Sequence, residues 1–472
     1  MAIMSAFDVA RRALFAQEAA LSVVGNNIAN VNTPGYTRQI PELVEAESTH
    51  GPGGILIGHG VDLRAIRQVL DPLIDQRLLQ VAADRGEQRA RSDQLGELAN
   101  VVNDLGDPSL PSALDDFYAA ADALSRNPAG IAERQNLIGR ANTLAAGIVR
   151  RAGALADLQR AVDDRYAELG VAANDGLTQV AKLNRDIVSR ELDGQSANDL
   201  RDARRTILNE LSQTLHVSVL EAPSGAVRVA AANGAVLVDN GSVVNRIAVR
   251  SAGVGLDGLA LHEIGLADAS GNFLSAPAAF TGGTIGGLAS VRDDAIVTAS
   301  QNLDKFVAGS GANPGLIGAV NAIQQAGRDL DGNATTTTPL FGGTSAATIG
   351  VLITDPRQIA AAQSTTPGDN QNALALADLR TTTLTALGSQ TLTGYLAVEQ
   401  ARIGDDAALA NDQADATDVL GKHLEAERDA VSGVNLNEEL TNLLRYQRAF
   451  QAASQVLNVA NTALDALFSI IR

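Results

Sequence analysis

Hydrophobic residues recur every seven positions at both ends of the chain, and that spacing sets the first expectation. Near the N-terminus Phe7, Leu14, Leu21 and Ile28 share one heptad position, and Ile3, Ala10, Gln17, Val24 and Val31 share the other. A seven-residue repeat keeps one stripe of a helix facing a partner helix, so the spacing predicts a coiled-coil seam ending near residue 31. Asn32-Thr33-Pro34-Gly35-Tyr36 closes it, because Pro and Gly together stop a helix and turn the chain. At the other end Leu436, Leu443, Phe450, Leu457, Leu464 and Ile471 are also seven apart. Their expected companions are Leu440, Gln447, Ser454, Asn461 and Phe468, which makes the middle of that seam polar, weak and specific in register. An amphipathic helix packed on its own domain would explain either end alone, whereas two terminal heptad helices favour a pair.

Between the ends the period changes several times. Gly51-Pro52-Gly53-Gly54 and the run Ile55 to Val61 read as loop and extended chain. From about Leu63 to Val102 the spacing is helical, through Ile66, Leu70, Leu73, Ile74, Leu78, Val81, Leu95 and Leu98. A second helical region runs from about Pro128 to Leu215, with Gly170, Gly176 and Gly194 expected to divide it. From His216 to Phe280 the period is two, with Pro223-Ser224-Gly225, Asn233-Gly234 and Asn240-Gly241 as hairpin turns. Helical pattern resumes near Leu288, breaks at Gly309 to Gly315, gives way to Thr, Gly and Asn-rich loop or short strand over 331–372, and returns from Ala373. The expected fold is α+β, mostly α: a terminal coiled-coil domain (1–35 plus 436–472), a long-helix bundle domain (36–215 plus 283–435) and an inserted small β-rich outer domain (216–282).

Composition narrows the function classes. The chain has 472 residues, 36 Lys+Arg against 54 Asp+Glu and a net charge of −18, which argues against nucleic acid or an anionic membrane as the main partner. Aromatics are 3% and Trp is absent, so small aliphatics must build the cores and deep aromatic ligand pockets are not expected. Cys is absent, which excludes disulfides, thiolate metal sites and cysteine nucleophiles. Arg11 and Arg12 interrupt the apolar residues of the N-terminus and no A-x-A-like site follows, so no cleavable signal is expected. No window approaches 18 uninterrupted apolar residues, so no membrane insertion is expected either.

Candidate chemistry is sparse. His50, His59, His216, His262 and His423 show no metal-ligand spacing, and His262-Glu263 lacks the second His of a zinc-protease helix. Asp329-Leu330-Asp331-Gly332-Asn333 has its Gly one residue early for a calcium loop, with Leu340 where the bidentate Glu would stand, and reads as a polar turn. Gly253-Val254-Gly255-Leu256-Asp257-Gly258 satisfies G-x-G-x-x-G, but the segment before Gly265 is too short for a crossover helix, so a hairpin turn is favoured. Neither a nucleophile elbow nor a Walker loop occurs. No catalytic, cofactor-binding or metal-binding residue, no cofactor and no enzymatic activity are therefore expected.

The run Val24-Gly25-Asn26-Asn27-Ile28-Ala29-Asn30-Val31-Asn32-Thr33-Pro34-Gly35-Tyr36-Thr37-Arg38-Gln39 resembles the N-terminal signature of the flagellar rod, hook and hook-associated proteins. Ser432-Gly433-Val434-Asn435-Leu436-Asn437-Glu438-Glu439, with Tyr446-Gln447 and Ala452 to Ala463, is similar to the C-terminal end of the hook-associated members. Asp116-Phe117-Tyr118, Ala132-Glu133-Arg134-Gln135, Asn198 to Arg204, Gly286-Gly287-Leu288 and Ile353-Thr354-Asp355-Pro356 extend the resemblance inward. Larger members carry a further insertion after a stretch like Pro339-Leu340-Phe341, which is missing here, and the break at Gly309 to Gly315 falls where the resemblance implies continuous helix.

The resemblance implies a structural adaptor that polymerises as a short helical layer between hook and filament after type III export. It implies a secreted, extracellular location and, as partners, further copies in a helical ring, hook protein, hook-associated protein 3 and an export chaperone at the C-terminal helix. A chain without Cys suits passage through export unfolded. Asn26, Asn27, Asn30 and Asn32, with Pro34, Gly35 and Tyr36, are expected to form caps and turns between subunits, or else a solvated helix end. The heptad residues are expected to form the coiled-coil and subunit interface, ordering fully only on assembly. The alternatives are a hook or rod component, or a surface ligand-binding protein or enzyme working through the 216–282 segment.

Overall fold

The computed structural model describes residues 2–50, 56–103, 109–268, 270–275 and 279–471, and the side chains of 2–3, 56–57 and 467–471 lie outside that description. Gly51 to Ile55, and the side chains of Ile3, Phe468 and Ile471, therefore fall outside the described residues. Helix α1 (Ala2–Ala29) ends in an Asn-rich turn that closes at Gly35, whose φ of +79° lies in the left-handed region. Strand β1 (Gln39–Glu45) pairs antiparallel with β4 (Val61–Gln68), with a bulge between Glu42 and Leu43, and β2 (Thr49–His50) pairs with β3 (Leu56–Ile57) beyond them. The helix expected from Leu63 thus begins nine residues late, at Pro72. Residues 63–68 are the return strand of this hairpin, and the Asp71 carboxylate caps the helix by accepting from Leu73 N at 2.9 Å.

Helices α2 (Pro72–Asn103), α3 (Leu110–Arg126), α4 (Ile131–Leu192) and α5 (Asn198–Leu215) follow. With 62 residues α4 is about 90 Å long at 1.5 Å per residue. It runs through Gly170 and Gly176 without interruption, which corrects the expected breaks. These glycines make room instead: a Cβ on Gly170 would lie 2.6 Å from Ile264 Cδ1, and one on Gly176 2.9 Å from Leu211 Cδ2. Gly194, with φ +76°, follows the helix end.

Strands β5 (Val217–Glu221), β6 (Val227–Ala231), β7 (Val236–Asp239) and β8 (Ser242–Val243) form one antiparallel meander. Strands β9 (Arg246–Ser251), β10 (His262–Ala267) and β11 (Phe273–Leu274) form another. The expected β-rich insertion into a mostly helical chain is what the structure shows. Its apolar faces share a core with the helices, since Val229, Leu237, Ile247 and Ile264 belong to the same buried cluster as Leu144, Leu177 and Leu211.

Helix α6 (Gly283–Ser290), a π-turn (Val291–Ala295) and α7 (Ile296–Ala308) form one rod. The break after it is the two-residue hairpin β12 (Gly309–Ser310) and β13 (Asn313–Pro314). Then come α8 (Leu316–Ala326), β14 (Phe341–Gly342) paired with β15 (Gly350–Val351), α9 (Gln371–Asp378), α10 (Leu392–Ser432) and α11 (Leu436–Ile471). The helix expected from Ala373 is broken over 379–391, where Gly388 and Ser389 take φ of +69° and +61°.

Among the described residues the buried apolar side chains fall into three clusters of very different size. The main core runs from Ala90 on α2 through α3 to α9 and the sheets to Ala410 on α10. Ile74, Leu78, Val81 and Leu424 make a second cluster where α2 and α10 lie antiparallel. Ala20, Val24 and Tyr446 make a third, at the contact of α1 with α11. The main core depends on close backbone approach at one corner: a Cβ on Gly86 would sit 2.0 Å from Gln213 O, and one on Gly287 2.5 Å from Glu87 O. Alanine is the better helix former by about 1 kcal/mol, yet the overpacking should dominate. Gly86→Ala is expected to lower stability by about 1–3 kcal/mol in urea unfolding, and a neutral or stabilising result would contradict this packing.

Candidate functional site

The helices α1 and α11 run antiparallel. Asn27, near the end of α1, bonds Glu439 near the start of α11, while Ala6 shares a groove with Val459, Ala460 and Ala463 near its end. Of the heptad residues, Leu21, Ile28 and Leu443 flank the small core of Ala20, Val24 and Tyr446. Phe7, Leu14, Phe450, Leu457 and Leu464 are half-buried, and Leu436 is exposed. The companion row on α11 needs correction: Leu440, Gln447 and Asn461 are exposed and Ser454 half-buried, whereas Glu439, Tyr446, Ala453 and Ala460 are buried. A companion three residues after each leucine, rather than four, turns the seam so that Leu436, Leu440 and Leu444 face outward.

The family-motif residues build a polar clamp at the root of this pair. Asn27 is 1% exposed and uses its amide fully. Its Nδ2 donates to Gln39 O at 2.8 Å and to Glu439 Oε2 at 3.1 Å, and its Oδ1 accepts from Tyr36 Oη at 2.9 Å and Gln39 N at 3.0 Å. Arg38 lies across Glu438 and Glu439, with Nη1 to Glu438 Oε2 at 2.7 Å and Nε to Glu439 Oε1 at 2.8 Å, while its backbone N donates to Ser432 O at 2.9 Å. Glu439 is buried, so its charge is tolerated because Arg38 and Asn27 between them take both its oxygens.

The clamp continues into the body through α5. Thr37 donates from both its backbone N, at 3.1 Å, and its Oγ1, at 2.8 Å, to the Asp202 carboxylate, which also accepts from Gln68 and Arg205. Burial outweighs these bonds and raises the Asp202 carboxyl above its ordinary value. Arg205 reaches on to Asp75 of α2 at 3.5 Å. Burial, then the charges of Asp202 and Glu439, push the Tyr36 phenol up to about 12.

The other asparagines of the motif do less. Asn30 donates to Asn26 O at 2.9 Å and accepts from Thr33 Oγ1 at 3.1 Å, a local helix end, while Asn26, Asn32 and Pro34 are exposed. Asn27 makes all four of its bonds within the chain. Arg38, Glu439, Thr37, Asp202, Gln68 and Arg205 were given no role by sequence reasoning. The paired Glu438-Glu439 in the first turn of α11, opposite an Arg that follows a helix stop, was the available signal.

Elsewhere the polar motifs fold as turns and struts. In the turn containing Gly253 to Gly258, Gly255 N donates to Leu259 O, Leu256 N donates to Gln159 Oε1, and Asp257 is held by Arg160. Asp329 accepts from the backbone of Asp331 and Asn333, closing a polar turn. Ligand atoms of Asp163, Asp164 and His262 lie within 4.8 Å of one another. The Asp163 oxygens already accept from Arg292 at 2.7 Å and His262 N at 2.9 Å and meet the His262 ring at 2.7 Å, which makes the group an ion-paired strut between α4, β10 and the π-turn. No described helix is long and apolar enough to cross a membrane.

Comparison with known proteins places these features in one family. Residues 95–341 match the helical domain of the flagellar hook-associated protein FlgK, 7–37 match the flagella basal body rod protein family, and 428–470 match the C-terminal region of the flagellar basal body rod FlgEFG proteins. Flagellar hook-associated protein 1 of Escherichia coli K12 is 28% identical over 99% of this chain and 100% of its own length. That of Bacillus subtilis 168 is 25% identical over 97% of this chain and 96% of its own. The solved structure of the flagellar hook junction protein FlgK from Burkholderia pseudomallei has the same fold, with a TM-score of 0.63 at 15% identity over 76% of this chain and all of that one.

Two outcomes test the clamp. Asn27→Ala leaves Tyr36, Gln39 and Glu439 short of partners and is expected to cost about 1–3 kcal/mol locally, read as faster proteolysis within α1 and α11 with the urea midpoint of the body unchanged. A raised phenol pKa means the clamp's contribution is complete below pH 10 and is lost as pH rises through about 12. Tyr36→Phe should therefore lose less stability than the parent chain between those values, and equal losses would contradict the placement of Tyr36.

Proposed function

The chain belongs to the FlgK family of flagellar hook-associated proteins, and from that premise we propose how its geometry serves the flagellum. It is a structural protein of the bacterial flagellum, at the junction of hook and filament, from a family that is not an enzyme family. Copies stack as a short helical layer after type III export, outside the cell, with hook protein on one side and hook-associated protein 3 on the other. An export chaperone holds α11 before assembly. The terminal unit is residues 1–35 with 436–472, the bundle 36–215 with 283–435, and the outer segment 216–282.

One observation carries this reading: the α1–α11 pair has far more apolar surface than it can cover alone. Its buried cluster is Ala20, Val24 and Tyr446, while Met4, Phe15, Leu440, Leu444 and Val459 are between 50% and 70% exposed. Covering each large side chain is worth roughly 1.5–3 kcal/mol, which favours neighbouring copies on these faces. Phe7, Leu14, Leu21, Ile28, Leu443, Phe450, Leu457 and Leu464 hold the pair together and carry Leu436 and its row to the outside. The same weakness lets the ends unfold for export.

The test is electron microscopy of cells lacking this gene, with flagellin assayed in the medium. Finished hooks without filaments and flagellin lost to the medium are expected, both reversed by the full chain. Normal filaments would contradict the junction role, and absent hooks would move the protein inward to the hook or rod.

A further inference from the structure

A second exposed apolar row lies on α10, away from the terminal pair. Val398, Leu409, Leu420 and Val431 are 50%, 58%, 46% and 41% exposed and stand eleven residues apart. Eleven residues advance a helix by three turns plus about 20°, so the row runs nearly straight for about 50 Å. The adjoining side of α10, with Ile403, Ala410 and Gly421, is buried. Arg85 of α2 fills the space over Gly421 and pairs with Asp418 at 2.9 Å and Glu425 at 3.2 Å, so α2 occupies that side and leaves the apolar row free.

Charge selects what can cover the row. Helix α10 carries nine acidic and three basic residues, a net −6. Asp405, Asp412, Asp415 and Glu427 are exposed, and none is paired with a cation among the described residues. A second α10 would bring like charges together. The fitting occupant is an apolar helix ridge with cations and no acid, and α11 presents one. Leu440, Leu444, Arg448 and Ala452 follow at four-residue spacing, the ridge that helices interdigitate, with Arg445 beside it. The segment Leu440 to Leu464 holds two arginines and no acidic residue. The chain's own α11 lies along α1 and not on this row.

We propose that the α10 row of one copy receives the α11 ridge of a second copy, with Arg445 and Arg448 facing Asp405 and Asp412, which stand beside Leu409 on the helix. The contact rests on the stacking of copies proposed above and assigns it a surface. It ties the terminal helices of one subunit to the bundle of the next, so that the layer is held between unlike faces.

Because the chain has no Cys, introduced cysteines report the contact directly. In cells lacking the native gene, a Leu409→Cys copy is expressed together with a second copy carrying Leu440→Cys, Leu444→Cys or Ala452→Cys, and isolated flagella are oxidised and run without reductant. A covalent dimer near twice the 48.8 kDa chain mass is expected with at least one partner and not with Leu409→Cys alone. Asp405→Arg with Asp412→Arg should abolish it, and Arg445→Glu with Arg448→Glu on the partner should restore it. Filaments that attach normally without any such dimer, or dimers formed only between two Leu409→Cys copies, would overturn this contact and leave the junction role standing. A chain absent from the flagella would overturn both.

Discussion

The orientation of the terminal helices depends on one buried carboxylate and the groups that satisfy it. Glu439 sits where α11 begins, and Asn27 and Arg38 take both its oxygens from either side of the turn that ends α1. An amide with two donors and two acceptor lone pairs can bind four differently placed groups only in one arrangement. Asn27 uses all four, so the turn, the strand at Gln39 and the start of α11 are fixed together. Hydrophobic contact could not do this alone, because the buried apolar cluster at that place is small among the described residues, Ala20, Val24 and Tyr446 with Leu21, Ile28 and Leu443 packed against it. Directional bonds set the angle, and burial supplies part of the energy.

From the clamp, stiffness increases inward. Thr37 and Asp202 attach the turn to α5, Arg205 joins α5 to Asp75 of α2, and Arg85 carries the chain of contacts from α2 to Asp418 and Glu425 on α10. Beyond these lies the main core, where Gly86, Gly287 and Gly170 allow backbones and side chains to approach more closely than a Cβ would permit. A protein built this way has a rigid bundle and terminal helices whose root is firm and whose far ends are weakly held. That gradient suits the proposed passage through export and the proposed completion of the ends against neighbouring copies.

Much of the architecture was legible in the sequence because periodicity reports burial directly. The heptads marked both terminal helices, and the change to period two marked the sheets over 217–274. What was missed has physical reasons. Gly170 and Gly176 look like helix breakers in isolation and are spacers in context, since what they accommodate, Ile264 and Leu211, is distant in sequence. Residues 63–68 carry apolar side chains at spacings that also suit a helix, and only pairing with 39–45 makes them a strand. On α11 the leucines drew the seam toward Leu440, although the buried positions are Glu439, Tyr446, Ala453 and Ala460. A buried Glu is not a seam residue by propensity. It becomes one through Arg38, 401 positions away. The clamp was visible as a motif through Asn27 and Tyr36, but its partners on α5 and α11 are set by the tertiary fold.

Order in the terminal helices is proposed to spread from the clamp and to be completed by neighbouring copies. Hydrogen exchange of the purified monomer, followed by mass spectrometry, tests it most directly. Slow exchange is expected across α3 and the middle of α4, intermediate exchange around Asn27, Arg38 and Glu439, and fast exchange in the outer halves of α1 and α11, which slows once the chain is assembled. Outer halves as protected in the monomer as α4 would contradict it.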